Sequence, residues 1–342
     1  MGRVITFGEV MLRFNPEGHL RLVQAEKFEA NLAGGEANVA VSLANYGADA
    51  AFVTKVPSHE IGGIVIREMR RNGVDTSLIL RGGKRLGTFY LEKGASQRAS
   101  KVIYDRENSS IAEANPAEFE WDKIFKAAKW FHFTGITPAL SENMAKACLD
   151  ACVVAKKMGI TISCDLNYRS KLWSKEEANK TMSKLMEYVD VCIANEQDAS
   201  DVFGICAEHT DIEGGKLDYN AYIDVAKKLS ERFPLKKVAI TLRGSISASR
   251  NTWAGLIYDV NSKKAEFSKV YDIDIVDRVG GGDSFGGALI YALLSNYSDK
   301  KVIEFAAAAS CLKHTIEHDF NLVSLSEVEK LMSGDGSGRV QR

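Results

Sequence analysis

Short apolar runs rich in Val, Ile and Phe alternate with longer helical patterns along most of this chain, and nothing else in the sequence restricts its fold as tightly. Strand-like runs occupy residues 4–8, 51–56, 130–133, 161–165, 191–194 and 237–241. Helical patterns lie between them at 38–46, 61–72, 141–158 and 221–233, and in the first of these Val39, Leu43 and Tyr46 share one stripe. Strands that alternate with helices pair through crossovers, which puts helices on both faces of a parallel sheet. The pattern therefore predicts an α/β fold. Ligands of such folds collect beyond the carboxyl ends of the strands, so the residues that follow each run are the ones to search.

Two segments, roughly 11–33 and 85–108, break the alternation. The second contains Gly87-Thr88-Phe89-Tyr90-Leu91-Glu92 and Lys101-Val102-Ile103-Tyr104-Asp105-Arg106. Both read as hairpin strands with polar turns, forming a small β-sheet that stands off the main body. Strands without helical cover need another surface, so this sheet is expected to serve as a lid and to pair with a second copy in a homo-oligomer. The 342 residues suit one large α/β domain with such an appendage. A formal net charge of −1 gives no electrostatic reason to expect a nucleic-acid or membrane partner. No stretch reaches the roughly 18 apolar residues that a bilayer span needs, and residues 1–7 run into a strand pattern rather than a signal peptide. The six cysteines, Cys148, Cys152, Cys164, Cys192, Cys206 and Cys311, form no Cys-x-x-Cys pair. They read as small buried hydrophobes of a reduced, cytoplasmic protein. Gly and Ser dominate 333–339, which predicts a flexible tail at 332–342 after a folded unit of 1–331.

Chemistry concentrates in Gly280-Gly281-Gly282-Asp283-Ser284-Phe285, which precedes an alanine-rich helical run. Bare glycine amides at a helix start can converge on one anion, helped by the helix dipole. A carboxylate beside an anion repels it, so Asp283 makes sense there as a base that activates a nucleophile attacking that anion. An anion cradle with a base points to phosphoryl transfer. The commoner use of such an Asp is simple capping. Other phosphate machinery is missing: Gly83-Lys84 and Gly215-Lys216 lack the Ser or Thr of a P-loop, and no Gly-x-Gly-x-x-Gly follows the first strand. A second cluster, Gly34-Gly35-Glu36-Ala37-Asn38, allows close backbone approach and offers an amide at a helix start. A third, Asn195-Glu196-Gln197-Asp198, follows a strand and suits hydrated Mg²⁺ near phosphates, or plain capping of the next helix. His314 and His318 lie four apart on an expected helix, with no acidic third ligand nearby, and read as ordinary helix residues.

The motif pair Gly34-Gly35-x-x-Asn38-Val39-Ala40 and Gly280-Gly281-Gly282-Asp283-Ser284-Phe285 closely resembles the two signatures of the ribokinase-like (PfkB) sugar kinases. Asn195-Glu196-Gln197-Asp198 is similar to that family's Asn-x-x-Glu element, and the resemblance runs in order to about Leu331. It implies a three-layer α/β/α domain with a mostly parallel central sheet and a small β-sheet lid. It further implies that Asp283 takes a proton from a sugar hydroxyl while the amides of Gly280, Gly281 and Gly282 steady the transferred phosphoryl group. Gly34, Gly35 and Asn38 would face the sugar, and Mg²⁺ near Asp198 and Glu196 would bridge the phosphates of ATP. Asn195, Thr241, Arg243 and Gly244 would line the nucleotide side, with His314 and Asn321 in the adenine region. A monovalent cation near the anion hole occurs in relatives, and the residues here leave it open. Two departures stand out. Gly281 replaces the family's Ala, which is expected to be harmless. Asp198 replaces a Glu, and its shorter reach implies contact with Mg²⁺ through water.

Residues 94–106, the stretch Asp165-Leu166-Asn167-Tyr168-Arg169 and residues 312–323 resemble 2-keto-3-deoxygluconate kinases within that family. The resemblance makes Gly34, Tyr90, Tyr104, Arg106 and Arg169 the sugar contacts. Two arginines suit a sugar acid, because guanidinium binds carboxylate bidentately. The implied activity is ATP-dependent phosphorylation of 2-keto-3-deoxygluconate at its terminal O6 hydroxyl. The alternatives are a fructokinase or other sugar or nucleoside kinase of the same fold, and a regulator that binds a sugar acid without turning it over.

Overall fold

The computed structural model describes residues 2–206, 219–334 and 336. In chain order its strands are β1 (Arg3–Phe7), β2 (Met11–Asn15), β3 (Glu29–Ala33), β4 (Ala50–Val56), β5 (Ile79–Arg81), β6 (Gly87–Glu92), β7 (Lys101–Asp105), β8 (Ala128–Thr134), β9 (Thr161–Asp165), β10 (Val191–Asn195), β11 (Lys237–Ser245), β12 (Arg250–Asp259), β13 (Lys264–Phe267) and β14 (Tyr271–Asp274). Ten of them form one sheet in the order β13-β12-β11-β10-β9-β8-β1-β4-β5, with β14 paired to β12. From β11 to β5 every pairing is parallel. The sheet therefore needs cover on both faces, and it has it. Ile5 and Phe131 pack into one apolar cluster with Cys148, Cys152 and Met182. Their neighbours Val4 and Trp130 pack into another with Val39, Phe285 and Phe305. Successive strand residues point to opposite faces, so this split is the signature of a sheet with a core on each side.

The chain enters in the middle of the sheet at β1, lays β4 and β5 to one side, and then returns to lay β8 to β11 on the other. The order reverses between β1 and β8, and the cleft lies beyond the carboxyl ends of the neighbouring strands β9, β10 and β11. The antiparallel edge, β12 to β14, lies outside the alternation read from sequence. Its long apolar run, 253–258, has no helix separating it from β11, so the strand–helix rhythm gives no signal there.

The second sheet has the order β3-β2-β6-β7. The β2–β3 and β6–β7 pairs are antiparallel, as expected of hairpins, and a parallel β2–β6 pairing joins them into one sheet. Two sequence expectations need correction. The helix Asp299–Lys313 ends before His314, and His318 lies beyond it at φ 66°, so the two histidines do not share a helix face. Five cysteines are buried, but Cys206 is exposed. Residues 335 and 337–342 of the expected tail lie outside the described residues, and among the described residues no helix is long and apolar enough to cross a membrane.

Candidate active site

Two helices that begin in glycine carry the two motifs into contact. They are Gly35–Asn45 and Gly281–Leu294. A Cβ on Gly287 would stand 2.7 Å from Ser42 Cβ and 3.3 Å from the Val39 carbonyl oxygen, so only glycine lets the helices pack this closely. The result is a hydrogen bond of 2.6 Å from Asn38 Nδ2 to Asp283 Oδ2, across 245 residues of chain. A Cβ on Gly35 would lie 3.5 Å from Asp283 Oδ1, which sets that glycine beside the carboxylate. Gly34 is packed against the Glu9 carbonyl, where a Cβ would come within 2.2 Å.

Gly280 caps the second helix at φ 80°, and a Cβ there would meet the Asp319 carbonyl oxygen at 2.2 Å. Both the left-handed backbone and the close approach demand glycine. The first amides of the helix lack intrahelical acceptors and carry the positive end of its dipole. They form an anion site directly beside Asp283. Burial raises the Asp283 carboxyl above its ordinary pKa, opposed by the Asn38 hydrogen bond and the charges of Arg169 and Lys313. A carboxylate moved up toward neutrality is better matched to taking a proton from a hydroxyl. Gly281 makes room for a neighbouring ring. A Cβ there would fall 2.4 Å from His314 Cε1, and that ring is held by Ser310 and Trp253. Its Nδ1–H donates to the Ser310 carbonyl at 2.6 Å, and its centroid lies 4.9 Å from that of Trp253. Burial lowers the His314 pKa to about 4, so the ring is neutral.

A cleft of about 2010 Å³ runs from these glycines along the ends of the parallel strands. Asp165 closes β9, Asn195 closes β10, and Thr241 of β11 pairs with Asn195. Thr241, Arg243, Gly244 and His314 line one stretch of it. Asn195 caps the helix Glu196–Phe203, accepting from Asp198 N at 2.7 Å. The Asp198 carboxylate accepts from Tyr168 N at 3.1 Å, and burial raises its pKa to about 6 against the pull of Arg169. Burial, then the charges of Asp198 and Asp283, push Asp165 well above the ordinary carboxylate range. Asp165, Asp198 and Asp283 thus all line one cleft. Among the described residues no cluster of three His, Cys, Asp or Glu forms a cage. Glu196 and Asp198 both line the cleft beside Asn195.

The far end of the cleft is lined by Tyr104 and Arg106 of the small sheet and its following loop, and by Arg169 after β9. Arg106 is buried. Its Nε donates to Glu9 at 2.8 Å, its Nη2 bonds the same oxygen, and Ser109 Oγ donates to the other oxygen at 2.6 Å. Its Nη1 has no protein partner among the described residues. Arg169 is exposed to the cleft and donates to its neighbour's carbonyl, Tyr168 O, at 2.8 Å.

A sequence profile of the pfkB family carbohydrate kinases matches residues 1–317. The chain belongs to that family. It is therefore a carbohydrate kinase. It is 33% identical over 335 residues to the 2-dehydro-3-deoxygalactonokinase of Haloferax volcanii, covering 98% of each chain. It is 29% identical over 332 residues to the 2-dehydro-3-deoxygluconokinase of Bacillus subtilis, covering 96% of this chain and 94% of that one. A crystal structure of the 2-dehydro-3-deoxygluconokinase of Thermotoga maritima superposes with a TM-score of 0.94 at 50% identity, covering 98% of this chain and 100% of that one.

Two residues expected at this kinase site stand elsewhere. Tyr90 is stacked on Phe14, centroids 5.5 Å apart, with Phe28 at its edge. This is the opposite face of the small sheet from Phe89 and Tyr104, because strand neighbours alternate. Asn321 is used at both ends of its amide: Nδ2 donates to the Tyr46 hydroxyl at 2.7 Å, and Oδ1 accepts from Val323 N at 3.1 Å. It is buried and lies outside the residues that line the cleft. Asp165 and Arg278 line the cleft and were assigned no role from sequence. Asp165 had a usable signal, an acid at the end of a buried strand. Arg278 had position alone, two residues before the glycine run. It donates to the Ser247 carbonyl at 3.1 Å, and burial with the charge of Arg243 lowers its pKa.

Proposed function

We propose that this kinase transfers the γ-phosphoryl group of ATP to the terminal O6 hydroxyl of 2-keto-3-deoxygluconate, the 2-dehydro-3-deoxygluconate of the relatives' names. The carrying observation is a single cleft with Asp283 and its glycine anion site in one part and Tyr104, Arg106 and Arg169 in another. Asp283 receives the hydroxyl proton, held toward the acceptor by Asn38. The helix-start amides at Gly280 to Gly282 stabilise charge on the phosphoryl oxygens as the bond to the leaving phosphate breaks. ATP supplies the phosphoryl group, and Mg²⁺ bound beside Asp198 and Glu196 offsets the phosphate charge. Arg243 and Arg278 both line the cleft, and two guanidinium groups there suit a nucleotide triphosphate. Arg169 and the remaining Nη1 of Arg106 hold the sugar carboxylate. Glu9 already balances much of the Arg106 charge, so Arg169 carries the larger share of acid recognition.

The C4 epimer, 2-keto-3-deoxygalactonate, is the second acceptor, favoured by the similarity to the Haloferax volcanii kinase named for it. The small sheet's outer face, where Phe28 and Ile103 are exposed, is proposed to pair with a second copy, which sizing by light scattering tests. The test of function is ADP release with ATP and Mg²⁺ over both keto-deoxy acids, gluconate, fructose, ribose and adenosine. Turnover restricted to the two keto-deoxy acids supports the reading. Preferred turnover of fructose or a nucleoside overturns the acid clamp and leaves Asp283 in place. Binding of the acids without turnover favours the regulator.

A further inference from the structure

Among the largest side chains with no solvent exposure, two are cations, Arg13 and Lys313. Buried charge is costly unless it is fully paired. Arg13, on β2 of the small sheet, donates to Asp277 and to Asp319 at 2.6 Å each. Asp277 also accepts from the backbone amides of Val279 and His318, both at 3.2 Å. Lys313 ends the helix Asp299–Lys313 and turns its ammonium back onto the chain that follows. Nζ donates to the His318 carbonyl at 2.5 Å and to the Ile316 carbonyl at 3.3 Å. Burial lowers its pKa, while the charges of Asp277, Asp319 and Asp283 raise it and that of Arg13 opposes them.

Nζ is thus bonded to two carbonyl oxygens, while the charges of Asp277, Asp319 and Asp283 act on it from further off. That is the oxygen-rich setting a bare cation requires. The same turn supplies the back wall of the anion site. The Asp319 carbonyl lies where a Gly280 side chain would be, and Asp277 leads directly into Val279 and Gly280. The 314–319 turn and Gly280 are therefore seated around two buried positive charges, Arg13 on the carboxylates of Asp277 and Asp319 and Lys313 on the carbonyl oxygens of Ile316 and His318.

We propose that Lys313 is a positioning residue whose ammonium acts as a tethered monovalent cation. It fixes the 314–319 turn against Gly280 and so holds the anion-site amides in place without free K⁺ or NH₄⁺. This rests on the phosphoryl transfer of the family and not on which sugar is the acceptor.

The experiment measures kcat and KM of the full chain in K⁺, NH₄⁺ and N-methylglucamine buffers, using the acceptor that turns over best. The native protein is expected to be indifferent to the cation. Lys313→Ala is expected to lose about 100-fold in kcat with the KM values little changed, and K⁺ or NH₄⁺, but not tetramethylammonium, restores much of the loss. Lys313→Met, which fills the space without charge, is not restored. A parallel melt needs no acceptor: K⁺ or NH₄⁺ raises the Tm of Lys313→Ala selectively and leaves the native Tm alone. A native enzyme that requires K⁺ overturns the proposal, and that arm stands even if Lys313→Ala does not fold. Full kcat in Lys313→Ala without small cations overturns it, as does a lost kcat that no small cation restores at unchanged Tm. An acceptor panel that fails altogether removes the sugar reading and leaves the melt to decide.

Discussion

The two ends of the cleft are built by different means. The phosphoryl end rests on backbone: a left-handed glycine, a helix start, and two helices pressed together at Gly287 and Ser42. Its one reactive side chain, Asp283, is aimed by one neighbour, Asn38. The end proposed for the sugar rests on side chains from separate segments: Tyr104 and Arg106 from the small sheet and its loop, Arg169 from the loop after β9, and Glu9 from the turn after β1. Backbone geometry tolerates almost no substitution, while side-chain recognition can be retuned one residue at a time. Chemistry is therefore fixed at one end, and acceptor choice is adjustable at the other.

The strongest way to break that contrast is Asp283→Asn. Turnover should fall by about 10³-fold or more with the fold intact, since a positioned base contributes on the order of 10²–10⁴. Coupled ADP release beside a circular-dichroism melt checks it, and substantial turnover in the variant would remove Asp283 from its role. Gly280→Ala comes next. The residue sits at φ 80° against the Asp319 carbonyl, so strain of about 1–3 kcal/mol is expected. Here kcat and Tm should drop together, and an active variant with an unchanged melt would show that the backbone is not fixed there.

Arg169→Ala should raise KM for the acid acceptor about tenfold, with KM for ATP and Tm nearly constant, because the side chain is exposed and makes one local hydrogen bond. Arg106→Ala should lower Tm as well, since it strands the buried Glu9 carboxylate. Equal Tm changes in both variants would erase the distinction between an open arginine and a paired one.

The subtlest test is pH. The base must be ionised to act, so kcat/KM should fall as pH drops through the raised pKa of Asp283. Burial raises that pKa and the Asn38 hydrogen bond lowers it. Removing the bond in Asn38→Ala should shift the acid limb to higher pH, with a loss of about 10–100-fold on the plateau from poorer orientation. A limb that moves down or stays put would mean that Asn38 does not touch the base during turnover.

Contiguous information was readable. The strand–helix rhythm carried the parallel sheet, because period and apolar composition are local properties. The glycine run and Asp283 were readable because helix starts and left-handed turns are local too. Asn321 reads as a free amide in sequence, whereas the fold buries it against the Tyr46 hydroxyl, 275 positions away. Tyr90 misled through strand parity: one residue along β6 separates the Tyr104 face from the Phe14 face, and only pairing register decides which is which. Gly281 looked interchangeable with Ala until His314 filled the space beside it.

The sequence by itself determined the α/β class, the family and the glycine-led helix start that carries Asp283. Each of those is written in runs of a few residues whose conformational preferences hold in any context. Only the tertiary structure decided that Glu9 claims Arg106, that the charges of Asp198 and Asp283 act on Asp165, and that Arg13 meets Asp277 and Asp319 while Lys313 turns onto the Ile316 and His318 carbonyls. Those outcomes depend on which distant segments share a space without water, where an ionised group must find a partner or forfeit its charge.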